Sequence, residues 1–490
     1  MIGNQLEYAS PESLGIPSAA IAAFLREMEE CRFPMHSYIL MRHGKIAAEG
    51  YVAPFTADRK HRMYSVGKSF TSVAVGMLIT EGRLSLDDRV ADFFPEYLPD
   101  RPSPCTLRAT VRDLLRMATP NAENSYHWED PDFVATFFNN PQPKHEPGAI
   151  FHYDTAGTTT LCGLVEKITG MPILDYMRPL LDTLGISGDI WCVRTPEGRS
   201  WTGSGILCTS RDLLRFGLFC LQKGEWNGRQ WVDRQYMEAA ASKQIDISAA
   251  HSGYLKDGYG YQFWMLREGG FACFGMGGQF AFMMPREDVV MVTTADTQGI
   301  DNAEDAIRRA FYRILDSMTE EPLPEDEAGE RLLRGSLPRT LPGPVGQKTN
   351  PLAPQYSGVT YRFDPNPSGF LWMRADFEAD ACTLTYEKGS GVHQIPLGMG
   401  QWKEFAFPDA YAGKNIAVLD THYQCLGMAA WESENTLLGK VFSVDDYLGN
   451  FNIQMTFKGD TLTVFMTKFA ENFFGDYRGY LAGTRAEACP

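Results

Sequence analysis

The chain has 490 residues, of which 44% are hydrophobic and 22% charged, and a formal net charge of −16 at neutral pH. That length predicts more than one hydrophobic core, and the composition is that of a globular protein in water. The acidic balance argues against sequence-independent binding of nucleic acid or of an anionic membrane, since both require a basic surface.

No apolar run is long enough to cross a bilayer. The opening Met1-Ile2-Gly3-Asn4-Gln5-Leu6-Glu7 has neither the basic nor the apolar segment of a leader, so a cytoplasmic location is expected. Ten cysteines, from Cys31 to Cys489, form no C-x-x-C pair, and the nine histidines make no H-E-x-x-H. Free thiols are expected, with no metal site and no cofactor.

In chain order, Ser18 reads as the N-cap of a helix with Ile21, Phe24, Leu25 and Met28 on one stripe. Tyr38 to Ala48 reads as a hairpin turning near His43-Gly44. Then comes Ser65-Val66-Gly67-Lys68, followed by Phe70, Val73, Ala74, Met77 and Leu78 at helical spacing. This predicts a helix with one buried stripe, with Ser65 in its first turn and Gly82 as its left-handed stop. Three residues is just under one helical turn, so the Ser65 hydroxyl and Lys68 amine project from one face within reach of each other. A serine beside an amine kept neutral is a nucleophile that needs neither histidine nor metal. By itself the segment is equally a capped core helix with a solvated lysine.

The chain to about residue 240 reads as mostly helical. Tyr259, Tyr261, Phe263 and Met265 then alternate, and short apolar runs at 280–284 and 289–294 predict neighbouring antiparallel strands. Tyr259, Tyr261 and Trp264 are expected in the core of that sheet by their alternation, with the lining of a cleft as the alternative. A helix at 302–317 carries Ala306, Ala310, Phe311 and Ile314 on one face. Strands at both ends with helices between them predict an α+β domain over 1–319, in which the early hairpin joins the later strands. Residues 320–354, with seven prolines and an acidic patch from Glu325 to Glu330, read as a linker with room for a short helix. From 355 to 490, β-forming runs such as 382–386 and 461–466 alternate with turns, at Asp420 and Gly459-Asp460 for example. They predict a separate all-β barrel or sandwich that carries no catalytic constellation.

Three segments of residues 10–318 together resemble the serine β-lactamase and penicillin-recognising superfamily, in particular its class C-like branch of family VIII esterases, D-aminopeptidases and aminohexanoate-oligomer hydrolases. The first is Ser65-Val66-Gly67-Lys68 with its helix and Gly82-Arg83-Leu84-Ser85-Leu86-Asp87-Asp88. The second, Tyr153-Asp154-Thr155, stands where that family has Tyr-x-Asn. The third, Phe274-Gly275-Met276-Gly277-Gly278-Gln279-Phe280, lies on an inner strand in place of Lys-Thr-Gly or His-Thr-Gly. Gly203 to Leu213 also looks like family sequence.

The resemblance implies a β-lactamase-like sheet flanked by helices with a helical subdomain, and a division of labour for acyl transfer. Ser65 attacks a carbonyl, a desolvated Lys68 takes its proton, and Tyr153 shares that role and returns the proton to the leaving group. The oxyanion is expected between the Ser65 N–H and that of Met276 or Gly277, with Asp154, Thr155, Gly275 and Gly278 lining the substrate. The basic side chain that pairs with a substrate carboxylate in this family is missing at Gly275-Met276, and Thr155 replaces an amide. The expected substrate is therefore a small ester or linear amide. A β-lactamase or D-amino-acid peptidase is the alternative, and a non-catalytic sensor on the same scaffold a third.

Overall fold

The computed structural model describes residues 6–127, 129–142, 144–247, 256–408, 423–469 and 478–486. The expected leaderless start (1–5), the turn at Asp420 and the thiol of Cys489 lie outside these residues. The chain divides into two compact units, Met1–Thr340 and Leu341–Pro490.

Among the described residues, the first unit is built on a seven-stranded sheet, antiparallel except for the short edge strand Glu7–Tyr8, which pairs parallel with Lys45 and Ile46. The hairpin forms as its residues predict: strands Met35–Arg42 and Lys45–Tyr51 are joined through His43 and Gly44, both at positive φ (52° and 70°). Met35–Arg42 then pairs antiparallel with Val289–Ala295, which carries the later strands Gln279–Met284, Phe271–Gly275 and Trp264–Met265 in turn. All eight residues of Met35–Arg42 are buried, because helices cover both faces of the sheet. On one face, Phe280, Phe282 and Phe311 form a continuous stack with centroids 4.4 and 4.8 Å apart. This joins the sheet to helix Ala303–Ser317, beside Phe24 and Leu25 of helix Ser18–Glu30. On the other face lies helix Ser210–Leu221, where Gly217 lets Val290 and Met283 approach closely.

Several local expectations are corrected. Ser18 is the first helical residue rather than the cap; its N–H and hydroxyl donate to the buried Glu12 carboxylate at 2.8 and 2.9 Å. Helix Gly67–Thr80 is buried on all faces from Gly67 to Leu78, not on one stripe. Its small residues admit neighbours all round, as at Gly76, where a Cβ would lie 2.6 Å from Tyr236 and Val232. The alternation at 259–265 yields a strand only at Trp264–Met265. Gln262 sits at φ 64°, donates its N–H to Leu115 O, and donates its side-chain amide to the carbonyls of Leu114 and Leu115. A distant turn thus supplies the partners a ladder would have given. Tyr259, Tyr261 and Trp264 are nonetheless core residues, 1–4% exposed.

Residues 320–340 belong to the first unit, and the proline-rich stretch contains helix Glu327–Ser336. Gly329 of that helix is buried, and a Cβ there would lie 3.3 Å from Ser18 Cβ.

In the second unit, among the described residues, nine strands close into a barrel. The meander from Gln424–Trp431 to Arg478–Arg485 pairs back onto Thr360–Phe363, which leads on to Gly391–Met399. Closure is parallel, Gly398 and Met399 meeting Met428 and Ala429. A tenth strand, Lys403–Ala406, takes the rest of that edge of Gln424–Trp431. Tyr361, Leu384, Tyr386, Met455 and Val464 are among its buried residues. No described helix is long and apolar enough to cross a membrane.

Candidate active site

The helix that carries Lys68 begins at Gly67, so Ser65 lies just ahead of its first turn and not within it. The Ser65 carbonyl accepts from Lys68 N–H at 3.1 Å, which winds the segment tightly into the helix. The residue before the serine, Tyr64, is held at φ 47°, a left-handed conformation that costs a bulky side chain about 1–3 kcal/mol. Burial of its ring, the Arg62 guanidinium 4.9 Å above it and a β-bridge to Gly205 hold it there. The Ser65 side chain stays partly exposed.

Lys68 is 1% exposed, and its Nζ lies 2.9 Å from Ser65 Oγ and 2.5 Å from the carbonyl oxygen of Gly203. Two glycines permit this approach. A Cβ on Gly67 would fall 2.2 Å from Thr202 O, and one on Gly203 would fall 2.7 Å from Thr155 Cγ2. Burial depresses the Lys68 pKa to about 7, against the pull of the Asp154 carboxylate, which favours the ammonium. Tyr153 closes the group. The amine stands 5.1 Å from its ring centroid, and the ring stacks on Trp264 at 5.4 Å with Tyr259 edge-on. Burial raises the phenol's pKa, and a hydrogen bond with the Ser65 side chain opposes that rise. Tyr153, distant in sequence from the Ser65–Lys68 pair, therefore shares one site with it.

Asp154 does not line the substrate as expected. It is fully buried, caps helix Thr155–Thr169 by accepting from Ala156 N–H at 2.9 Å, and accepts from the Thr119 hydroxyl at 2.7 Å. Burial raises its pKa, and these hydrogen bonds restrain the rise. Its effect on the site is electrostatic, through Lys68. Thr155 is partly exposed, with its methyl group close to Gly203.

The third element is also corrected. Gly275 ends strand Phe271–Gly275, and Met276 to Gly278 form the turn into Gln279–Met284. The close approach that requires glycine at 275 is to the chain's own backbone: a Cβ would lie 2.1 Å from the Met63 carbonyl oxygen, two residues before Ser65. Gly278 is buried against Ala295 and Ile307 rather than facing a ligand. Of the two expected oxyanion donors, Gly277 is occupied, because its N–H donates to Glu304 Oε1 at 3.2 Å. The N–H groups of Ser65 and Met276 have no acceptor among the described residues. The Gly203 carbonyl and the Glu304 carboxylate had no sequence signal, one being backbone and the other a single acid in an acidic helix start. No group of three or more His, Cys, Asp or Glu side chains is placed to hold a metal ion among the described residues.

A family model described as Beta-lactamase matches residues 20–313. The 6-aminohexanoate-dimer hydrolase of Paenarthrobacter ureafaciens is 26% identical over 310 residues, covering 58% of this chain and 79% of that protein. The octameric penicillin-binding protein homologue from Pyrococcus abyssi matches 94% of this chain and 99% of its own, at a TM-score of 0.51 and 16% identity. SurE matches 85% of this chain and 95% of its own, at a TM-score of 0.50 and 19% identity. At such identities the two structural matches speak to fold.

Proposed function

The chain belongs to the beta-lactamase family and is a hydrolase of that family, and from that premise we propose that it cleaves a small ester or linear amide through an acyl-Ser65 intermediate. The observation that carries this reading is the buried Lys68 amine, 2.9 Å from Ser65 Oγ and with its pKa depressed to about 7. Near neutrality about half of such an amine is unprotonated and can accept the hydroxyl proton as Ser65 attacks the carbonyl. The Ser65 and Met276 N–H groups stabilise the oxyanion. Tyr153, in contact with both side chains, carries the proton to the leaving nitrogen or oxygen. Water then attacks the acyl-enzyme with the same pair as base, which frees the acid and restores Ser65.

Two observations bear on the substrate. Gly275, Met276 and Gly277 offer no cation to a substrate carboxylate, and the charged side chain bonded to this turn among the described residues, Glu304, is an acid. The Paenarthrobacter relative is by its name a hydrolase of a linear amide dimer. Both favour a linear substrate over a β-lactam.

The test is to compare a p-nitrophenyl ester, an aminohexanoate dimer and nitrocefin with the native chain and with Ser65→Ala. Turnover of ester or dimer that vanishes in the variant, while the fold persists, is the expected result. Ester turnover that survives the substitution overturns the reading, and rapid nitrocefin turnover moves it to a β-lactamase.

A further inference from the structure

The Met276–Gly278 turn is held from several directions. The Met276 carbonyl accepts from Gln279 Nε2 at 3.2 Å, the Gly277 carbonyl from Thr297 N–H at 3.1 Å, and the Gly278 carbonyl from the Thr293 hydroxyl at 2.9 Å. Among the described residues, one further tether comes from a charged side chain: Gly277 N–H donates to Glu304 in the first turn of helix Ala303–Ser317. That carboxylate is partly buried and forms no ion pair with any described residue. The amide bond and the helix terminus are what compensate its desolvation. Gly277 and Gly278, at φ 85° and 94°, have no side chains to brace the turn themselves.

Resting on the acyl-Ser65 reading, we propose that Glu304 is a positioning residue for the oxyanion hole: by holding the Gly277 N–H it fixes the turn so that the neighbouring Met276 N–H is presented to the substrate oxygen at Ser65. Glu304 does not touch the substrate. It removes Gly277 as a competing donor and sets the direction of the peptide next to it. An oxyanion donor acts only where it meets the developing charge, so loosening this turn should slow the chemical step and leave ground-state binding nearly unchanged.

Kinetics on a neutral p-nitrophenyl ester and on one bearing an ammonium group, with Ser65→Ala in parallel, test this. Glu304→Ala and the shorter Glu304→Asp should lower kcat about 10- to 100-fold, with KM within about threefold, on both esters alike. Glu304→Gln can still accept the amide through its side-chain carbonyl, and should keep kcat within about threefold of the native chain. Unchanged kcat in both Glu304→Ala and Glu304→Asp overturns the proposal. So does a Gln variant as slow as the Ala variant, or a loss confined to the cationic ester, which would mean substrate recognition by charge. Loss of turnover in Ser65→Ala beside an undiminished Glu304→Ala removes this proposal alone, whereas an active Ser65→Ala removes the reading beneath it as well.

Discussion

The chemistry proposed for this chain turns on one buried amine. Lys68 is surrounded by the Ser65 hydroxyl, the Gly203 carbonyl and the Tyr153 ring, and burial depresses its pKa to about 7. Only the unprotonated amine can accept a proton, so kcat/KM should rise with pH through about 7 and level off above it. The Asp154 carboxylate pulls the other way, so Asp154→Asn should shift that rise to lower pH while the asparagine still caps the helix. A pH–rate profile of the two proteins checks both statements; a limb that stays in place in the variant would detach it from Lys68. The S-x-x-K spacing made the Ser65–Lys68 pair legible in the sequence. The groups that tune it were not legible, since a carbonyl such as that of Gly203 leaves no mark on residue identity, and the resemblance implies for Asp154 a place beside the substrate, not its role as a cap.

At the level of elements, the site is an encounter between the start of helix Gly67–Thr80 and the end of strand Phe271–Gly275. Gly275 sets their separation, since a Cβ there would lie 2.1 Å from Met63 O. Gly275→Ala should push the strand end away and misplace the Met276 N–H. A loss in kcat approaching that of one oxyanion donor, about 3 kcal/mol, is expected. Steady-state kinetics beside a thermal melt would show it; a variant with native kcat contradicts this placement. The elements that local pattern dictates were legible, notably the hairpin at His43-Gly44 and the helix from Ala303. Those that distant partners dictate were not. Around Gln262, alternation of aromatic residues looks like a strand, yet its backbone N–H and side-chain amide donate to carbonyls at Leu114 and Leu115, nearly 150 positions earlier. The family resemblance implies a strand at Met276–Gly278, but these residues form the turn between two strands, where Gly277 and Gly278 take positive φ.

At the scale of the whole molecule, the proposed chemistry lies within Met1–Thr340, and the barrel of Leu341–Pro490 has a separate core. Its strands close on themselves through Gly398 and Met399, and a unit of that size can bury enough surface to fold alone. Residues 341–490 expressed alone should therefore unfold in one cooperative thermal transition, and a fragment without such a transition contradicts its independence. A change of composition along the chain made two units legible, whereas the parallel closure at Gly398 and Met399 depends on pairing that no local pattern announces. Acyl transfer through Ser65 is checked by peptide mass mapping of the native chain quenched during turnover of a p-nitrophenyl ester. The acyl mass should appear on the peptide containing Ser65, and on no other. Steady turnover with the acyl group on a different residue, or on none, would contradict it.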